Sequence, residues 1–334
     1  MDITDFSDKQ MAGQRLMVGF DGTEMNAELE FLIDTLKVGG IILFFRNLID
    51  PGQIKNLCFS MQSYARSCGQ PPLLIAIDQE GGQVARLKEP FTQFPGNPKM
   101  KGPEDAVFFA ETTAKELSEV GINMNMAPVL DVAPEDINSV MAERAFGPDP
   151  SWVSEQGKVV IEHLQAEKIM AVAKHFPGIG RTVLDSHFEL PDLDIDVDAM
   201  KGFDLFPFKA AISHDVAGIM LSHIRYIGID PDWPASLSKI IADDLLRKQM
   251  GYDGVVMTDD LDMGAIEKHY DIKTGIHQIL SADIDMTLIC HAGPNIENAF
   301  KEILDVQGRS QTMRAKGVKS LKRIVRLKKR YIGA

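Results

Sequence analysis

Gly254-Val255-Val256-Met257-Thr258-Asp259-Asp260-Leu261-Asp262-Met263 is a short apolar run that ends directly in carboxylates. Four such residues, two of them β-branched, read as a strand buried on both faces. Seven more runs of this kind recur along the chain: Arg15–Phe20, Gly40–Phe44, Leu73–Ile77, Ile122–Ala127, Met170–Ala173, Gly218–Leu221 and Met286–Ile289. Longer amphipathic stretches separate them, so strands alternate with helices and the sheet is parallel. Eight units predict an α/β fold closed as a (β/α)8 TIM-type barrel. A doubly wound open sheet is the alternative, but no Walker loop and no GxGxxG after the first run supports it. With no proline-rich linker, low-complexity segment or shift in composition, residues 1–334 are expected to form a single catalytic domain.

The chain's 334 residues include 45% hydrophobic and 25% charged ones, the balance of a soluble globular protein. Its net charge of −13 would repel phosphate backbones and anionic membranes, so neither nucleic acid nor membrane is an expected partner. The stretch Lys316–Arg330 is basic, but Val318, Leu321, Ile324 and Val325 at helical spacing make it a final barrel helix with a solvated face. Cys58, Cys68 and Cys290 form no CxxC pair and no even-numbered framework, which fits reduced thiols in a cytoplasmic setting. The first residues lack a basic and then apolar leader pattern, and no apolar run approaches a membrane span. No HxH or HExxH occurs, and neither metal nor cofactor is expected.

In barrels of this type chemistry gathers where the strands end. Asp78, Asp131, Lys174, His175, His223, Asp259 and His291 all follow or end apolar runs. The densest cluster, Lys174–His187 (KHFPGIGRTVLDSH), is too rich in Gly and Pro for a regular element. Asp185 and His187 share a face in an extended segment, where a carboxylate can orient an imidazole as an acid/base dyad. Among Asp259, Asp260 and Asp262, Asp259 is the first carboxylate past its strand and a candidate nucleophile; the other two could equally cap the next helix. In Asp78–Arg86 (DQEGGQVAR) an acid, a Gly-Gly turn and an arginine supply both acceptors and donors, a combination suited to hydroxyl-rich ligands.

Together KHFPGxGxxxxDSH, DQEGGxVxRL and TDDLxM resemble the β-N-acetylglucosaminidases of glycoside hydrolase family 3, in that family's order. The segment Asn125–Gly147, with APVLDV and ERAFG, is similar to a further block of it, and the compact chain resembles the single-domain bacterial enzymes of peptidoglycan recycling. The resemblance implies a retaining mechanism with a covalent glycosyl-enzyme. Asp259 would match the nucleophile, and His187, oriented by Asp185, the acid/base. Asp78, Arg86, Arg144, Lys174 and His175 would match sugar-binding residues, with His223 a less specific match. The substrate implied is a terminal β-linked N-acetylglucosamine on cell-wall-derived sugars such as muropeptides. Two positions depart from the pattern: Ile179, where many members have a second histidine, and Gln83, where arginine is common.

Three other readings compete. The same residues could support phosphorolysis, since a neutral histidine repels phosphate less than a carboxylate does. Lys174 at a strand end could form a Schiff base, or the barrel could bind sugar without turnover.

Overall fold

The computed structural model describes residues 3–186 and 188–333, so His187 lies outside the described residues. All eight predicted runs are strands: β1 Leu16–Val18, β2 Gly40–Leu43, β3 Leu74–Ile77, β4 Met124–Asn125, β5 Met170–Phe176, β6 Gly218–Leu221, β7 Val255–Asp260 and β8 Met286–Ile289. Each pairs in parallel with the next, and β8 pairs with β1 through Leu16–Thr287 and Val18–Ile289. The barrel is closed, and the open-sheet alternative falls.

Strand alternation divides the core in two. Met17, Met124, Met170, Met257 and Met286 point inward with Ile42, Leu74 and Val172, while Leu16, Ile41, Ile75, Ala171 and Val256 point outward to the helices. Unbranched methionines suit the barrel interior because they can fill a tapering space in several rotamers.

Helix starts follow the sequence. Proline opens α1 (Pro51–Ser67), α2 (Pro103–Glu119) and α3 (Pro150–Ala166), and again α6 (Pro294–Arg309). Its missing N–H costs nothing at a first helical position. Between α3 and α6 run α4 (Leu205–Ser213) and α5 (Ile272–Ser281), the latter capped by Asp271, which accepts from the Thr274 amide. The last helix, α7 (Gln311–Ile332), starts at Ser310, whose side chain accepts from the Met313 amide.

The basic stretch lies within α7 and packs on the barrel, as its spacing predicts. Leu321, Ile324 and Val325 are buried, and Ile324, Leu327 and Tyr331 join the interior cluster. Arg323, Arg326 and Arg330 pair with Asp253, Asp285 and Asp215, so carboxylates of the barrel neutralise the basic face. Lys328 reaches the Gly39 carbonyl and Gln14 Oε1, just ahead of β2 and β1. Helix α7 therefore covers the N-terminal end of the barrel and leaves the opposite end, where the polar residues gather, open. Among the described residues no helix is long and apolar enough to cross a membrane.

Candidate active site

Two strands carry their key residues at irregularities. In β5 the pairing with β6 shifts between Ala173 and Phe176, where Lys174 and His175 lie; in β7 the pairing with β8 shifts between Met257 and Asp260, where Asp259 lies. Such bulges re-aim side chains at a barrel rim. The Lys174–His175 and Phe176–Pro177 peptide bonds are cis.

From β3 the chain enters a tight hairpin, Gln79–Gly81 against Val84–Ala85. Gly81 and Gly82 turn it with φ of +87° and +62°, values that side chains with a Cβ rarely adopt. The turn returns Arg86 to Asp78, at 3.1 Å between Nη2 and Oδ2. Asn125, at the end of β4, fixes the hairpin by accepting from the Gln79 amide and donating to its carbonyl.

Lys174 Nζ then bridges two carboxylates, Asp78 Oδ1 at 2.8 Å and Glu80 Oε1 at 2.7 Å. Burial alone would weaken its charge, but Asp78 and Glu80 outweigh that and raise its pKa. Burial likewise works to raise the Asp78 and Glu80 carboxyls, and the cations facing them hold Asp78 well below the usual range and Glu80 below its ordinary value. Lys174 is thus a fixed ammonium and not a free amine, which removes the basis for Schiff-base chemistry. Glu80 also binds the Arg144 guanidinium. It was not singled out from the sequence, although the two-residue step from Asp78 in an extended chain puts both carboxylates on one face.

His175 is held from behind. Its Nδ1 donates to Asp131 Oδ2 at 2.7 Å, and the buried Asp131 also accepts from the Ile179 amide at 2.8 Å. This network assigns the proton to Nδ1 and turns Nε2 toward Arg144 Nη2, 3.5 Å away. Asp131 is the second residue whose role the sequence did not reveal, since 44 positions separate it from His175.

Asp259 accepts from the Asp260 amide at 2.8 Å through Oδ1. Burial acts to raise its pKa, but the His223 and His175 imidazoles, the Asp260 N–H and Lys174 prevail, and the carboxyl stays below its ordinary value. A lowered pKa favours its carboxylate form, the form that a nucleophilic role would need. His223 is fully buried behind β7, with Nε2 on the Asp260 carbonyl and Nδ1 on Ser236 Oγ, both at 2.7 Å. It is not among the residues lining either cavity described below, so its placement suits bracing the end of β7 better than touching a sugar.

Neither Asp260 nor Asp262 caps the following helix. Asp260 accepts from the Cys290 and Asp262 amides, and Asp262 from the His291 amide and the Asn295 side chain, so both tie down the loop after β8. Burial and the Asp262 charge push the Asp260 carboxyl up to about 6. With His291 these two form a group, all within 4.8 Å, that could offer three atoms to a metal ion.

Two cavities meet at this centre. One, of about 310 Å³, is lined by Asp78, Arg86, Lys174, Asp260, Asp262 and His291; the other, of about 230 Å³, by Gln83, Ile179, Leu184, Asp185 and Ser186. Arg144, His175 and Asp259 line both. Opposed carboxylates and cations around one ionised aspartate can grip hydroxyls and present a nucleophile to a sugar's anomeric carbon.

The chain is similar to known proteins in sequence and in fold. Residues 8–327 match the model of the glycosyl hydrolase family 3 N terminal domain. A β-hexosaminidase A from Pseudoalteromonas piscicida is 37% identical over 317 residues, covering 84% of this chain and 53% of that protein. A β-hexosaminidase from Alkalilimnicola ehrlichii is 35% identical over 299 residues, 87% of this chain and 84% of the relative. Among solved structures, a family 3 β-N-acetylglucosaminidase from Paenibacillus sp. superposes with a TM-score of 0.94 at 36% identity, over 98% of this chain and 63% of that one. A β-N-acetylhexosaminidase from Beutenbergia cavernae gives 0.90 at 28% identity, over 97% and 99%. The chain thus spans about half of the first relative and most of others, and it belongs to glycosyl hydrolase family 3, sharing the barrel of that family's β-hexosaminidases.

Proposed function

We propose that this barrel removes terminal, non-reducing, β-linked N-acetylglucosamine by retaining hydrolysis, with cell-wall-derived sugars among its substrates. The observation that carries this reading is the ionised Asp259 at the junction of the two cavities, facing the network of Asp78, Arg86, Arg144, Lys174 and His175. In the first step an Asp259 oxygen bonds to the anomeric carbon as the bond to the leaving oxygen breaks. His187, oriented by Asp185, gives that oxygen a proton, and in the second step takes one from the water that releases the sugar. An imidazole titrates near neutrality and can serve both steps without a strongly raised carboxyl pKa. Lys174, Arg86 and Arg144 donate to hydroxyls, Asp78 accepts from them, and His175 offers Nε2. Three cysteines, none in a disulfide, suit a reducing cytoplasmic setting.

Release of nitrophenol from its N-acetyl-β-glucosaminide by wild type, Asp259→Ala and His187→Ala tests the assignment. Activity abolished in the first variant and strongly cut in the second is expected. Wild type that releases none would point to a sugar-binding barrel without turnover or to another sugar. Appearance of sugar 1-phosphate at high phosphate would replace water by phosphate as the acceptor.

A further inference from the structure

Strand β7 loses one neighbour before it reaches its last two residues. Its parallel pairing with β6 runs from Val255 opposite Gly218 to Thr258 opposite Leu221 and ends there. Two residues beyond each of those last partners, in the same register, stand Asp260 and His223. A side chain makes the rung between them, since His223 Nε2 donates to the Asp260 carbonyl at 2.7 Å. A carbonyl only accepts, so this bond puts a proton on Nε2. Nδ1 faces Ser236 Oγ, also at 2.7 Å, and a hydroxyl can donate to a bare ring nitrogen or accept from a protonated one. Both side chains are buried, and the Ser236 amide is itself fixed on the Ser222 carbonyl at 3.0 Å.

Asp260 is held on its other flank as well. It pairs with Leu288 in β8, its Oδ1 accepts from the Cys290 amide at 2.9 Å, and its carbonyl takes a second bond from the Met263 amide at 3.1 Å. Its own N–H is engaged by Asp259 Oδ1 at 2.8 Å. With Oδ1 taken up by that bond, Oδ2 is the oxygen left to bond to the anomeric carbon. Resting on the retaining glycosidase reading above, we propose that His223, held by Ser236, is a positioning residue: it supplies the missing rung of β7, locks Asp260 in place and so aims Asp259 Oδ2 without touching the sugar. Attack geometry is steep, and a misplacement of about 1 Å costs about 100-fold in rate. The first step carries that cost. Once Oδ2 is bonded to the sugar, the bond itself holds the carboxylate, and the second step depends on His223 less.

Three variants test this on the nitrophenyl N-acetyl-β-glucosaminide: Ser236→Ala, His223→Leu and His223→Gln. Leucine offers no donor to the Asp260 carbonyl, whereas the glutamine amide N–H reaches about as far as imidazole Nε2. The ratio kcat/KM, which reports the steps up to the glycosyl-enzyme, is expected to fall about tenfold in Ser236→Ala and about 100-fold in His223→Leu, and to recover most of that loss in His223→Gln. Single-turnover release of nitrophenol should slow in parallel. The inhibition constant of N-acetylglucosamine should stay within about twofold of wild type, because no sugar contact is removed. A rise in that constant large enough to account for the whole loss would mean that His223 touches the sugar, and it overturns the proposal. So does wild-type kcat/KM in folded Ser236→Ala and His223→Leu, or an equal loss in the leucine and glutamine variants. Ser236→Ala removes a single oxygen and carries the test alone where the His223 variants do not fold. Wild type that leaves the glycoside uncut sinks the glycosidase reading itself, an outcome distinct from an active wild type whose variants are unimpaired.

Discussion

Arg144 clasps Glu80 through two parallel bonds, Nε to Oε2 at 3.0 Å and Nη2 to Oε1 at 2.7 Å, and the same carboxylate holds Lys174. One buried carboxylate thus aims two of the cations that face the larger cavity. Glu80→Gln keeps the shape but removes the charge. Arg144 would then lose its carboxylate and Lys174 would keep only Asp78, and breaking a buried pair of this kind costs about 3–5 kcal/mol. A fall in kcat/KM on the nitrophenyl glycoside of roughly 100-fold, carried mainly by KM, is expected together with a lower Tm. An unchanged KM would show that Glu80 only supports the hairpin.

Lys174 stays protonated between its two carboxylates. Borohydride added to wild type with simple aldehydes or keto acids should leave no reduced adduct on Lys174 by mass spectrometry. Lys174→Met should weaken sugar binding instead, raising KM at least about tenfold, because a charge-assisted hydrogen bond contributes roughly 1.5–3 kcal/mol. A trapped adduct would revive the carbonyl chemistry that the ion pairs argue against.

No step of the proposed reaction calls on a metal. Asp260, Asp262 and His291 could hold one, yet their carboxylates already anchor the loop after β8. Exhaustive dialysis against chelator is expected to leave kcat unchanged. Loss of activity that zinc or magnesium restores would assign the loop a cation.

Lys328 is buried without a carboxylate partner among the described residues, and desolvation pushes its pKa down to about 7 from 10.5. A neutral amine has two N–H groups, enough for Gln14 Oε1 and the Gly39 carbonyl. Between those two pKa values the unfolded chain binds a proton that the folded chain lacks, so this lysine's contribution to stability rises with pH there. Below pH 7 its penalty is fully present. From pH 7 to about 9.5 wild type should gain roughly 2–3 kcal/mol over Lys328→Met in urea unfolding. Parallel stability curves for the two proteins would mean that Lys328 is not neutral in the fold.

The barrel could be read from sequence because each strand is a continuous apolar run, a local signal that needs no partner. Strand-end positions marked Asp78, Lys174, His175 and Asp259 for the same reason. Glu80 was not legible as a site residue, and Asp131 was legible only as a strand-end acid and not as the partner of His175, because their importance comes from what they touch, Arg144 and His175, and those contacts span 64 and 44 positions. His223 was legible as a strand-end histidine, but not as one turned back onto Ser236 and the Asp260 carbonyl. Asp260 and Asp262 illustrate the converse limit. Carboxylates just ahead of a helix suggest caps, whereas here the amides of Cys290 and His291 compete for them once β8 is in place.

The contact between Lys328 and Gln14 joins residues 314 positions apart. A chain emerging from the ribosome has made every strand of the barrel before the helix that seals its floor appears. Until then Met17, Met124 and Met286 border an unfilled opening, and β1 has to wait for β8 before its second edge is paired. The assembly problem for this protein is therefore one of long waiting rather than of local misreading. Its nascent barrel, with an open floor and unpaired edges, is the stage at which chaperone protection would matter most.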